Sequence, residues 1–524
     1  MISNGRINNP FFFVYLSSNH KQTVIIVKKI CFLILLLATG LQATASVHNI
    51  RDYGAKGDGV TIDSPAINAA IEAAAREGGG VVLLPAGRYA SYSVRLASHI
   101  HLLLEKGAVL LAATPTPTEG YDLAEDFEWG REYQDYGHSH WKNSLIWGIG
   151  LEDITISGEG LIDGSGLIPD YGDLPGFRVG PLKGNKAISL KNCKNIVLKE
   201  FTMYNCGHFA LLATGVDNLI IRDLVVDTQR DGLDIDCCRN VLVTGCRLNC
   251  PWDDAIVLKA SYGLGHFKDT EDVTISDCII SGYKEGSMLA NTNLPPSAKP
   301  GYSVSPETRT PAPFPYFGTG RIKFGTESSG GFRGIAVTNC VFHDCGGILL
   351  ETVDGGFLED VTFSNITMRG TNSPLFMRLG ARMRSPENTP VGVLRRVRVS
   401  DVTVSNADPR YPILLSGIPG YRIEDVTVRN FHIRFQGGLT PADARAVGDV
   451  PERENAYPEH NMFGISPAKG IYLRHVNGIE MDGIHLSYDK PDTRPVLVTD
   501  DVSGLRLNNI TVEGEDVTAS LISR

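Results

Sequence analysis

Eleven short apolar runs of one pattern recur along this chain, and their spacing constrains the fold more tightly than anything else in the sequence. They begin at Ile154, Ile196, Leu219, Val241, Val273, Ile335, Val361, Val397, Val426, Ile479 and Leu505, and most follow an Asn, Asp or Gly. Those residues suit the turn that enters a strand. The closest intervals are 23 residues (196 to 219) and 22 residues (219 to 241), and 154 to 196 spans two such steps. A β-sandwich also has short strands and turns, but it does not hold one spacing for so long. A chain that climbs one coil per repeat does, because each coil must bury its apolar side against the next. The expected fold is all-β: a single right-handed parallel β-helix, a solenoid, with insertions at about 284–318 and 436–470 where the gaps lengthen.

The open end of a solenoid needs a cover, since an exposed core and unpaired edge would template aggregation. Residues 51–59 are rich in turn formers. An N-terminal capping helix is expected from Ser64, with Pro65 in its first turn and Ala66, Ile67, Ala70, Ile71 and Ala74 on one face. Residues 78–87 end that helix and begin the coils. This segment resembles the N-terminal cap of the pectate-lyase-like β-helix superfamily. The resulting plan is a signal peptide over 1–45, the cap and first coils over 46–112, an aromatic-rich loop insertion over 113–148, and the main solenoid over 149–524. Tyr121, Trp129, Tyr133, Tyr136, Trp141 and Trp147 of the insertion either stack on sugar rings or pack on one another.

Lys28 and Lys29 precede the apolar run 31–37, and residues 43–45 read Ala-Thr-Ala, a small-x-small cleavage pattern. The run is too short to span a bilayer. An exported protein, periplasmic or extracellular and without a membrane anchor, is expected. Net charge is −10, and the first 45 residues hold four basic and no acidic side chains. So acidic a chain is a poor partner for nucleic acid, and it repels polyanions unless basic side chains gather locally. Of ten Cys, all but Cys31 lie between Cys193 and Cys345. They read as small buried coil residues, with Cys237-Cys238 or Cys246 and Cys250 as the alternative of oxidised pairs. Their spacing does not suggest zinc; no metal or cofactor is expected, and a monomer is.

Asp231 precedes the pair Asp253-Asp254 by 22 and 23 residues, one repeat length. Adjacent strands lie about 4.8 Å apart, so the three carboxylates should meet on two neighbouring coils. Like charges that close raise one another's pKa, which costs stability and points to use. Two carboxyls roughly 6.5–9.5 Å apart are the equipment of an inverting glycosidase. The bland reading is a turn at 253–254 and a strand-entry Asp at 231.

The runs Asp227-Thr-Gln-Arg-Asp-Gly-Leu-Asp-Ile-Asp236 and Pro251-Trp-Asp-Asp-Ala-Ile-Val-Leu-Lys259 resemble glycoside hydrolase family 28, the polygalacturonases and their relatives, and the resemblance runs from about residue 48 to the low 500s. The family's Asn-Thr-Asp motif falls on Gln229-Arg230-Asp231, and its Asp pair on Asp253-Asp254. The resemblance implies O-glycosyl hydrolysis of pectin with inversion, Asp253 as the acid, and Asp231 and Asp254 on the water. Its Gly-His-Gly falls on Gly318-Thr319-Gly320, and its uronate-gripping Arg-x-Lys on Leu349-Leu350-Glu351.

Arg321 and Lys323 supply a new Arg-x-Lys one coil earlier, on one face of a strand. They read either as relocated substrate ligands or as ion pairs with Glu327 or Glu351. His208, one coil before Asp231, and Lys259, after the Asp pair, are further candidate substrate-binding residues with Thr319 and Glu351; His266 is a weaker one. The expected partner is a pectic oligo- or polysaccharide. With Leu349 and Glu351 at the family's cation positions, a branched or mixed fragment such as a rhamnogalacturonan oligosaccharide is expected over plain polygalacturonan. Two alternatives are a β-helix polysaccharide lyase using the carboxylates for Ca²⁺, and a non-catalytic glycan-binding β-helix.

Overall fold

The computed structural model describes residues 46–125, 136–169, 179–296 and 317–522. The expected signal peptide, Trp129 and Tyr133 lie outside them. The recurring apolar runs fall into one column. Ile154, Ile196, Leu219, Val241, Val273, Ile335, Val361, Val397, Val426, Ile479 and Leu505 are successive register partners in parallel strands. All but Leu505 are buried. Burying each such side chain is worth about 1.5–3 kcal/mol, so this inward column binds every coil to the next.

The residue before that column explains the Asn and Asp punctuation. Asp153, Asn195, Asn218, Asn240 and Asp272 take φ of 56°, 58°, 58°, 54° and 57°. Short polar side chains tolerate this left-handed region better than others. They also link the coils: Asn195 Nδ2 donates to Asp153 Oδ1 at 2.8 Å, Asn218 Nδ2 to Asn195 Oδ1 at 2.7 Å, and Asn240 Nδ2 to Asn218 Oδ1 at 3.1 Å.

A central coil has three strands, as in Asp231–Asp236, Arg239–Thr244 and Arg247–Asn249. The capping helix runs Ser64–Arg76 and buries Ile67, Ala70, Ile71 and Ala74. Asp63 precedes it, but its carboxylate accepts from the Lys56 and Gly57 amides at 2.7 and 2.9 Å instead of capping the helix. At the far end the antiparallel pairing of Thr511–Val512 with Glu515–Asp516 and the short helix Thr518–Ile522 set Val517 and Leu521 against the core. The nine described Cys are buried free thiols, so the oxidised pairs are not formed. Among the described residues no helix is long and apolar enough to cross a membrane.

The first strand of each coil also has an outward column: Asp234, Val257, Lys323, Leu349, Phe376, Leu414, Tyr472 and Val498. Its early part is ringed with charge. Its later part is an apolar patch, Leu349, Phe376, Leu414 and Tyr472, covered by Val450, Met462, Phe463 and Ala468 of the 436–470 insertion.

Candidate active site

Asp231 opens the strand Asp231–Asp236, and Asp253 and Asp254 occupy the turn before Ile256–Ala260, the strand stacked on it. The Gly232 amide donates to the Asp254 carbonyl at 2.9 Å, so a rung of the ladder fixes the two segments against each other. One oxygen from each of Asp231, Asp253 and Asp254 lies within 4.8 Å of the others. The stacking read from the repeat length is therefore realised. The cluster is tighter than the roughly 6.5–9.5 Å expected of an inverting pair, and carboxyl separation alone does not select inversion.

Cations hold two of the three acids. The Arg230 guanidinium donates to Asp253 at 2.8 Å and to His208 Nε2 at 3.0 Å. Arg321 Nε bonds Asp254, and its terminal nitrogens bond Glu459 at 2.6 and 2.9 Å. Burial works against the Arg321 charge, but Asp254 and Glu459 outweigh it and hold the guanidinium well above its usual pKa. Among the described residues Asp231 has no Lys or Arg within 4.0 Å, and the His208 ring lies 3.7 Å away. Burial first, then the Asp253 carboxylate, pushes the Asp231 pKa well above the ordinary range.

A second ring of charge surrounds this one. Lys259 reaches Asp234 at 3.0 Å and Glu327 at 3.2 Å, and also bonds His138 of the 113–148 insertion. Glu327 is aimed there by an irregularity: Leu258 pairs with Phe324 but Ala260 with Ser328, so two extra residues bulge from the later strand. Burial disfavours the Glu327 charge, yet Lys259 and Arg382 hold its pKa well below the usual carboxylate value. Lys323 lies 3.4 Å from Glu351 and 3.9 Å from Asp254, and donates to the Tyr457 hydroxyl at 3.2 Å.

The site thus gathers Asp231, Asp253, Asp254, Arg321, Lys323 and His208, with Lys259 and Glu351 behind them. Glu351 is fully buried against Lys323. Leu349 belongs to the covered apolar patch, which is why a cation is not found there. Arg321 and Lys323 do form ion pairs, but buried ones that include Asp254, and Glu327 is not their partner. Thr319 is placed by its backbone, its amide donating to the Pro251 carbonyl at 2.8 Å beside the Asp turn. His266 is exposed and outside the site.

Of the insertion aromatics, Tyr121 and Trp141 pack inward. Trp141 is fully buried with Phe209 and Leu212, and the Tyr121 ring meets Tyr92 at 5.6 Å. Sequence reasoning missed Arg230, which was seen only as a departure from a motif. It also missed Asp234, whose outward parity on the strand of Asp231 was a usable signal. Tyr457 and Glu459 come from an insertion, and Arg382 follows a strand of a later coil; no repeat register places them.

A hard cation would need the carboxylate oxygens as ligands. The Asp253 and Asp254 charges are already met by Arg230 and Arg321, so the trio is a poor fit to a divalent ion and a good one to a shared proton.

Residues 47–103 match the family model described as "Rhamnogalacturonase A/epimerase, pectate lyase-like", and residues 127–282, which include all three Asp, match "Glycosyl hydrolases family 28". A probable polygalacturonase of Vitis vinifera is 24% identical over 426 residues, 76% of each chain. Alginate lyase 7 of Azotobacter vinelandii is 34% identical over 201 residues, 36% of this chain and 21% of that one. The family 28 exopolygalacturonase of Yersinia enterocolitica superposes with a TM-score of 0.61 at 18% identity, over 88% of this chain and 78% of that one. The repeat column, the stacked carboxylates and these matches agree: the chain is built on a right-handed parallel β-helix, and its segment 127–282 is similar to the glycoside hydrolases of family 28.

Proposed function

We propose that the protein is exported and hydrolyses glycosidic bonds of a pectic oligo- or polysaccharide with inversion at the anomeric carbon. The carboxylate trio carries this reading: three acids from two adjacent coils supply both an acid and a base within reach of one bond. Inversion rests on the family resemblance. Export rests on the basic-then-apolar leader and its small-residue cleavage pattern.

For substrate we propose a branched or mixed fragment, such as a rhamnogalacturonan oligosaccharide, over unbranched polygalacturonan. The support is electrostatic. Arg230, Lys259, Arg321, Lys323 and Arg382 each already meet a carboxylate of the protein within 4.0 Å. A uronate would have to displace one of these partners, and a lost charge-assisted hydrogen bond costs roughly 1.5–3 kcal/mol. The cap's match to the rhamnogalacturonase description is in keeping with this.

Digestion of separated pectic fractions, with sugar products identified and the first anomer followed by NMR, tests all of this. Rapid cleavage of plain polygalacturonan would remove the substrate preference, and retained configuration would remove inversion. The similarity to an alginate lyase favours one competing reading, elimination across a uronate ring. An unsaturated, ultraviolet-absorbing product whose formation stops in EDTA would establish it instead.

A further inference from the structure

We propose that the cleft between the capping helix and residues 118–123 binds a neutral sugar, carried by a branch or an uncharged stretch of the polysaccharide. The cleft has a volume of about 710 Å³. Small-molecule sites commonly run to roughly 300–1,000 Å³. Glu72 of the helix Ser64–Arg76 lines one side, Glu119 and Leu123 of the insertion line the other, and Tyr92 and Arg95 of the first coils complete it.

Tyr92 marks the place of a ligand. Its side chain is only 8% exposed, with the ring packed edge-on against Tyr121 at 5.6 Å. The hydroxyl makes no hydrogen bond among the described residues, and it opens to the cleft. Burial, then the Glu119 carboxylate, raises the phenol pKa, so the hydroxyl keeps its proton. A buried tyrosine hydroxyl normally has a partner, and the cleft is the side from which one can reach it.

The charges select the class of ligand. The Arg95 guanidinium is already met by Asp122, donating at 2.6 and 2.8 Å, and the Trp147 indole donates to the same carboxylate at 2.8 Å. Glu72 and Glu119 make no hydrogen bond or ion pair among the described residues. The cleft is therefore negative and rich in acceptors, which disfavours a uronate and suits the hydroxyls of a neutral sugar. A hard cation asks for six to eight oxygen ligands. The apolar part of the wall, Pro65 and Leu123, offers none and fits the C–H face of a sugar ring.

Its position makes the cleft a second site. Arg95, Trp147, Ser189, Leu212 and Asp234 are successive register partners. Four coil steps of about 4.8 Å place Arg95 about 19 Å from Asp234. Trp141 crosses between them: it packs on Leu212, and its carbonyl accepts from Ser189 Oγ at 2.6 Å. A polysaccharide cut at the carboxylate trio is anchored by its neutral part in the cleft. The anchoring role rests on the hydrolase reading, whereas the sugar site does not.

Calorimetric titration of the full chain with galactotetraose, arabinotetraose, tetragalacturonate and Ca²⁺ tests the site. At least one neutral probe should bind, and Tyr92→Phe and Glu72→Ala should weaken it about 3- to 10-fold, the scale of one hydrogen bond. Tyr92→Phe keeps the buried ring and Glu72 is exposed, so both variants should fold, as circular dichroism will check. No neutral binding, or neutral binding that neither variant weakens, overturns the site. Binding of tetragalacturonate or Ca²⁺ that the variants weaken overturns the class of ligand.

On pectic fractions the same variants should raise KM for a branched one about 3- to 10-fold and leave kcat unchanged. An unmoved KM beside weakened sugar binding overturns the anchoring role. If no fraction is cleaved while neutral binding still depends on Tyr92 and Glu72, the hydrolase reading fails and the sugar site stands.

Discussion

The outward column of the first strands divides into two halves that share one backbone geometry and differ in every other respect. At Asp234 and Lys323 the column is part of a charged network around the three Asp, in which Lys259 meets Asp234 and Lys323 meets Asp254 and Glu351. At Leu349, Phe376, Leu414 and Tyr472 it is apolar, closed over by the 436–470 insertion. The same insertion extends Tyr457 and Glu459 back into the charged half. A parallel β-helix decides which side of a strand faces out, and nothing more. Whether an outward position becomes chemistry or a second core depends on what is laid over it.

The sharpest way to break this comparison is to disable the charged half without touching the apolar one. Asp231→Asn, Asp253→Asn and Asp254→Asn should each lower kcat on the order of 10²-fold or more, the scale of general acid–base catalysis. Thermal melting of Asp231→Asn should stay close to wild type, whereas Asp253→Asn and Asp254→Asn each take a carboxylate from a buried guanidinium and should melt lower. Undiminished turnover in all three would mean that the charged half is structural like its neighbour.

The converse change empties the apolar half. Phe376 is fully buried, and Phe376→Ala should cost about 3–5 kcal/mol in urea denaturation. Proteolysis should then reach 436–470 sooner, and activity should fall with it, since Glu459 loses its footing on Arg321. Unchanged protease resistance would show that the insertion is held by its polar contacts alone.

Between the halves, Glu459→Gln removes one carboxylate from Arg321 and leaves Asp254. A weakened charge-assisted bond predicts a loss of about 1–3 kcal/mol in stability. kcat should shift more than KM, because the partner affected is Asp254. A change in KM alone would make Glu459 a substrate contact.

The smallest effect is on pH dependence. Burial raises the Glu351 pKa from 4.5 to about 7, against the pull of Lys323. The folded state therefore binds this proton more tightly than the unfolded chain. Its contribution is fully present below the unfolded value near 4.5 and is lost as pH rises through about 7. Glu351→Gln should flatten that decline when stability is followed from acid to alkaline pH. Parallel stability profiles for the two proteins would show that Glu351 is ionised throughout.

The inward half of the fold was legible in the sequence because it depends on period and polarity alone. Ile196, Leu219 and Val241 announce their column by spacing, and Asn195, Asn218 and Asn240 announce the corner before it, since a left-handed residue selects for short polar side chains. Asp231, Asp253 and Asp254 were legible for the same reason: one repeat separates them, and one repeat is one strand spacing. Tertiary structure decided the rest. Arg230 became the clamp on Asp253, Leu349 the wall of a second core, and Glu351 a buried partner of Lys323. Those outcomes depend on side-chain reach across coils and on insertions of irregular length. A repeat fixes where a backbone passes, but only the packed molecule fixes which charges are left to share a proton.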